Sequence, residues 1–207
     1  MRKLLVKSPT VDTLLVFAVV FLAQRLLSLL VPPAAGVFAL APPLEVRPWT
    51  VVTSVYAHSD LSHLVANSVA LVFVGLPLER TTTPFRFHLF FIATGATAGV
   101  VQVATKSVVA EPVPVLGASG AVFAMLGYVL TGNRIASGLL ARLDLGPGAQ
   151  LAAFAGLAAV VTVATGSPGV ALVAHFTGFL VGLVAGRLGV LDVRRNARRR
   201  RENTTYK

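Results

Sequence analysis

Residues 114–130 read PVLGASGAVFAMLGYVL, with a serine set between glycines at the mouth of an apolar run. Counted from Ala118 to Asn133, the run is 16 residues long. As a helix it rises about 24 Å, against about 30 Å for the hydrocarbon core of a bilayer. Pro112 and Pro114 on one side, and Gly132 and Asn133 on the other, stop it from being lengthened. With its far end at the cytoplasmic interface, such a helix starts below the opposite surface. Ser119 is then submerged, and the turn before it dips in too. Non-helical backbone at that depth is tolerated only against protein or a water-filled cavity, so the stretch predicts a cavity beside Ser119. Two uses of Gly117, Ser119 and Gly120 compete: a tight helix-packing site, or a serine presented for chemistry.

Composition sets the solvent. Hydrophobic residues make up 55% of the 207-residue chain, charged residues 13%, and the mean hydropathy is +0.79. These values lie outside the range of soluble domains. Six apolar stretches, each bounded by Pro, Gly or charge, follow one another: Val11–Val31, Leu61–Leu78, Phe85–Thr105, Ala118–Leu130, Ala149–Thr165 and Val170–Leu191. The expected fold is an all-α membrane protein, a six-transmembrane-helix bundle over residues 11–191, between basic tails at 1–10 and 192–207. The first stretch is read as a span and not a cleaved signal, because its apolar run is too long and no small-residue cleavage site follows cleanly. With no cysteine, disulfides, thiol nucleophiles and thiolate metal sites are excluded. No metal or cofactor is expected.

The net charge of +10 is distributed, not clustered on one face. With both tails on one side, that side carries Arg2, Lys3, Lys7, Arg80, Arg86, Arg134, Arg142, Arg187 and the tail RRNARRRRENTTYK, against only Arg47 and Lys106 on the other. The asymmetry predicts a multi-pass protein of the cell membrane with both termini cytoplasmic. The basic tail is read as an orientation signal in contact with anionic lipid, not as a nucleic-acid site. Arg25 lies inside the first span.

Few polar groups interrupt the spans. His63 and Asn67 are four residues apart and share one face. His175 begins a face that continues through Gly178, Gly182 and Gly186, and the fourth span offers Gly120, Ala124 and Gly127. Small residues at that spacing let two helices approach closely. Docking the two faces would bring Ser119 and His175 together. Taken singly, each feature has an ordinary use: a back-bonded serine, an interior histidine, a His–Asn bridge between helices, glycines for packing. Four polar groups at the outer ends of three spans are another matter. Ionisable residues inside a membrane are costly, and their convergence marks a site.

These residues resemble the rhomboid intramembrane serine proteases. GASGAVFAMLG is similar to the family's GxSG motif, HLVAN to its HxxxN motif and AHFTGFLVG to its AHxxGxxxG motif. The resemblance runs from about Trp49 to Gly186 and includes RPWTVVTSVYAHSDLSHLVAN and GLPLER around the second span. It implies a six-helix bundle whose water-filled cavity opens to the extracytoplasmic side, and a serine-type endopeptidase acting on transmembrane protein substrates. Ser119 would be the nucleophile and His175 the general base, a dyad without an acid. The backbone N–H of Ser119 and the side chains of His63 and Asn67 would form the oxyanion hole. Gly117 and Gly120 would allow the close turn, Phe123 would stack on His175, and Gly178 and Gly182 would support the packing. The absence of an acid agrees with the residues, since all eight carboxylates lie in loops, tails or span ends. Glu45, Asp60 and Glu111 alone share the outer side.

The resemblance departs from the family in two places. Phe123 stands where relatives often carry Tyr, which removes a hydroxyl but keeps the ring. The first outer loop, Pro32–Pro48, is short and lacks a Trp-Arg pair that many bacterial members have. The fifth span and the loop TGSPG are the candidate gate by resemblance. Two other classes remain in view: a rhomboid-like protein that binds membrane helices without cutting them, and a small multi-span transporter. The first class loses the serine or histidine, and the second favours internal repeats or mid-span carboxylates.

Overall fold

The computed structural model describes residues 8–30, 35–109, 114–132, 145–166 and 171–193. The tails through Lys7 and from Arg194, together with Glu111, Arg134, Arg142, the last three residues of the TGSPG loop and Val170, lie outside them, as does the side chain of Lys106. The described residues form helices α1 (Pro9–Leu30), α2 (Ala35–Phe38), α3 (Thr50–Thr53), α4 (Leu61–Glu79), α5 (Pro84–Val109), α6 (Ser119–Gly132), α7 (Pro147–Ala164) and α8 (Leu172–Leu188). Four helices, Pro9–Leu30, Leu61–Glu79, Pro84–Thr105 and Pro147–Ala164, are long and apolar enough to cross a membrane. The remaining two apolar helices, α6 and α8, are shorter. The protein is a helical membrane bundle of the expected class.

Most helix ends fall one to four residues from the sequence expectation, and two of these differences bear on the site and the core. α6 begins at Ser119, one residue later than Ala118, so the serine is the first residue of its helix. α8 ends at Leu188 because Gly189 adopts a left-handed conformation, φ 69°, which reverses the chain and satisfies the last carbonyls. Leu191, expected inside the span, instead folds back into the core, and its N–H donates to the Tyr128 hydroxyl at 3.0 Å.

The short pair forms the centre. α5 and α4 pack against α6, α5 also packs against α8, and α7 packs against α8. α1 closes on α4, where the Ser8 hydroxyl and the Thr10 N–H both donate to the Glu79 carboxylate, at 2.8 and 3.2 Å. A core cluster including Phe17, Leu71, Phe87, Phe91, Ala121 and Met125 joins α1, α4, α5 and α6. Outside it the helices are apolar again: Val19, Leu22 and Leu26 of α1 are each at least 60% exposed. In water such a surface would be a liability; in a bilayer it meets acyl chains at little cost.

Close approach of α6 and α8 depends on their glycines. A Cβ at Gly178 would run into the carbonyl oxygen of Gly120, one at Gly182 into that of Ala124, and one at Gly186 into that of Tyr128. The three contacts advance by four residues on both helices, so the helices run parallel and their N-terminal ends coincide.

Candidate active site

The N-termini of α6 and α8 carry Ser119 and His175. Phe123, one turn into α6, stacks on the His175 ring with centroids 4.3 Å apart and planes 26° apart. His175 is buried, and its Nδ1 finds no hydrogen-bond partner among the described residues. Among the described residues, the ring is held by this stacking and by the helix backbone, where the His175 N–H donates to Ala171 C=O at 3.1 Å. The adjoining Ala174 N–H donates to Gln102 Oε1 of α5 at 3.0 Å, which ties down the start of α8. Gly120 is helical and does not make the turn. Its lack of a side chain instead admits Ala98 of α5, which a Cβ would approach to 2.6 Å.

The turn before Ser119 is made by Gly117, whose φ of +126° is strained for any residue with a side chain. A Cβ there would lie 2.7 Å from His63 Cε1 and 2.8 Å from His63 Nε2. Gly117 thus brings the imidazole of α4 against the backbone two residues ahead of the serine. The dipping segment is satisfied by backbone partners. Gly117 N–H donates to Ser54 C=O at 2.9 Å, and Val115 exchanges two 2.8 Å hydrogen bonds with Leu40. This supplies a role for the short first outer loop: it pairs with the segment that presents Ser119. Backbone without such partners is excluded from a bilayer interior.

Asn67 is buried and donates from Nδ2 to the carbonyl of His63 at 3.0 Å, so the two residues sit on one face of α4 as their spacing predicted. His63 and His175 are close enough for their charges to interact. The structure therefore collects Ser119, His175, His63, Asn67, Gly117, Gly120 and Phe123 at one end of the bundle, with Gly178 and Gly182 behind them.

Of Gln24, Arg25 and His58, which also lie at this end, only Arg25 was singled out from the sequence, and only by its place in the first span. Gln24 of α1 accepts the His58 N–H at 3.0 Å, and Arg25 donates from Nη2 to Ser59 C=O at 2.5 Å. Arg25, lying within the first span, thus reaches an exposed backbone carbonyl in the loop that enters α4. His58 is fully buried, edge-on to Phe17 at 4.8 Å and to His63 at 5.1 Å. Burial, then the neighbouring His63, push the His58 ring down to about 4, so it is neutral at physiological pH. Gln24 and Gln102 had one signal in the sequence: an amide in an apolar span is expensive unless bonded.

A Rhomboid domain family model matches residues 45–191. The chain is 38% identical over 89 residues to rhomboid protease GluP of Bacillus subtilis (strain 168), an alignment covering 42% of this chain and 17% of that protein. It is 34% identical over 85 residues to human rhomboid-related protein 3, covering 41% and 20%. It is also 28% identical over 83 residues to inactive RHOMBOID-like protein 8 of Arabidopsis thaliana, covering 40% and 22%. The matched region thus spans about a fifth of the length of these curated relatives. The glycine-faced pair of short helices, the serine at a helix start and the match over most of the chain agree: this protein belongs to the rhomboid family.

Proposed function

We propose that the chain is an intramembrane serine endopeptidase that cleaves peptide bonds in or near transmembrane segments of other membrane proteins. The observation that carries this reading is the parallel docking of α6 on α8, which puts Ser119 and the Phe123-stacked His175 at one end of one helix pair. His175 takes the Ser119 proton as Oγ attacks the substrate carbonyl, and returns it to the leaving amine; water then hydrolyses the acyl-enzyme by the same route. The developing oxyanion is met by the Ser119 N–H, which as a first helical residue has no carbonyl one turn back, and by Asn67 and His63. No cofactor or metal enters the scheme, and the partners are membrane helices and lipid, not nucleic acid. The test is incubation of purified protein with a reporter membrane helix, alongside Ser119→Ala.

A second reading, a helix-binding protein without activity, is favoured by the match to an inactive relative. Asn67→Ala separates the two. One Asn67 N–H is spent on His63, and its other serves only the transition-state charge. The variant should lower kcat by about 10² to 10³ with KM nearly unchanged. A binder would show no rate to lower.

The division into a catalytic bundle at 11–191 and basic tails at 1–10 and 192–207 belongs to the same proposal. So does a cell-membrane location with both tails cytoplasmic and the site opening to the other side. Reporters fused beside Lys3 and within Arg198–Arg201 should both read cytoplasmic, because the loop charges favour that side. A terminus reading outside would invert the site.

A further inference from the structure

The loop entering α4 and the first turn of that helix read HSDLSH, His58 to His63. Ser59 Oγ lies 2.7 Å from Asp60 Oδ2 and 3.1 Å from His63 Nδ1. A hydroxyl has one proton to give and lone pairs to receive. Asp60 caps α4, accepting from the His63 N–H at 2.9 Å and from the Ser62 hydroxyl. The Ser62 hydroxyl, the His63 N–H and the Ser59 hydroxyl hold its carboxyl well below the ordinary range, so it is an acceptor only. The Ser59 proton therefore goes to Asp60, and its oxygen receives a proton from His63 Nδ1–H.

The rest of the loop is fixed from α1. Arg25 holds the Ser59 carbonyl, Gln24 holds the His58 N–H, and the buried His58 ring braces His63 edge-on. With Nδ1 so engaged, the opposite edge of the His63 ring, Cε1 and Nε2, abuts Gly117.

We propose that Ser59, backed by Asp60 and clamped by Arg25, is a positioning residue for His63, keeping its Nδ1 protonated and its Nε2 turned toward the backbone before Ser119. The inference rests on the protease reading for its kinetic consequence but not for its structural one. A neutral ring held this way offers Nε2 as an acceptor. It donates to an oxyanion once a second proton arrives from solvent, with Asp60 one hydroxyl away as counter-charge. Among the described residues, His58, Asp60, Arg25 and His175 are the titratable or charged groups around it.

The test uses full-length protein in lipid nanodiscs with ¹⁵N-labelled histidine, the His63 signals being assigned from their loss in His63→Ala. Wild type and Ser59→Thr should show His63 Nδ1 protonated, and Ser59→Ala should shift the ring toward a mixture of tautomers. On the reporter helix, Ser59→Ala should lower kcat about tenfold, the worth of one hydrogen bond, with KM unchanged. Ser59→Thr should restore the rate, and in a His63→Ala background Ser59→Ala should cost nothing further. A bare His63 Nδ1 in wild type, or the same Ser59→Ala loss with and without His63, would overturn the proposal. A wild type that cuts nothing would sink the protease reading instead, while the nitrogen spectra would still decide where the His63 proton sits.

Discussion

Ser119→Ala is expected to abolish hydrolysis of a reporter membrane helix, a loss on the order of 10⁴- to 10⁶-fold, and His175→Ala to cost nearly as much. The double variant should be no worse than either alone, because a nucleophile without its base and a base without its nucleophile are the same defect. A fluorophosphonate probe should label wild type and fail on Ser119→Ala. The structure gives the physical ground. Ser119 opens α6, and His175 is gripped by Phe123 on one side and anchored through Ala174 to Gln102 on the other. Its Nδ1 is buried and has no hydrogen-bond partner among the described residues, which leaves it free of any acid there. Cleavage that survives Ser119→Ala would mean that the nucleophile lies elsewhere.

Gly182→Ala should destabilise the fold by about 3 kcal/mol or more, at the upper end for overpacking. The added methyl would collide with the carbonyl oxygen of Ala124, and that atom belongs to a helix backbone that cannot rotate away. α6 and α8 would have to part, which also separates Ser119 from His175. Gly156 provides the control, since nothing lies within 4 Å of a Cβ placed there. Gly156→Ala should leave thermal unfolding unchanged or slightly raised, as alanine favours helix over glycine. Unfolding of both variants in the same detergent is the measurement. A Gly182→Ala protein as stable as wild type would show that the helices do not pack in this register.

Much of this protein was legible in its residues. Six apolar stretches and the Pro and Gly boundaries located the helices to within a few residues, because only a fully bonded helix can cross a bilayer in so short a chain. The four-residue recurrence of glycines on α8 and of small residues on α6 announced a close helix pair. The short fourth stretch put Ser119 at a helix entrance. Spacing carried these conclusions because every one of them is local to a single helix.

What the sequence could not assign was the partner of each polar group. Gln24 and His58 are 34 residues apart, and Gln102 and Ala174 are 72 apart. No periodicity links them. Nor did hydropathy tell which face of α1 meets protein, since Thr10, Thr13 and Phe17 face inward while Leu15, Val19 and Leu22 face outward. In water, polarity would separate the two faces; in a bilayer both environments are apolar, and side-chain chemistry alone does not distinguish them. The residues by themselves determined the class of fold, the order of its helices and the candidate dyad. Only the tertiary structure decided that Leu40 pairs with Val115 to hold the turn before Ser119, and that α1 reaches across to fix the loop beside His63, because both depend on backbone and amide groups that satisfy one another only once the helices have packed.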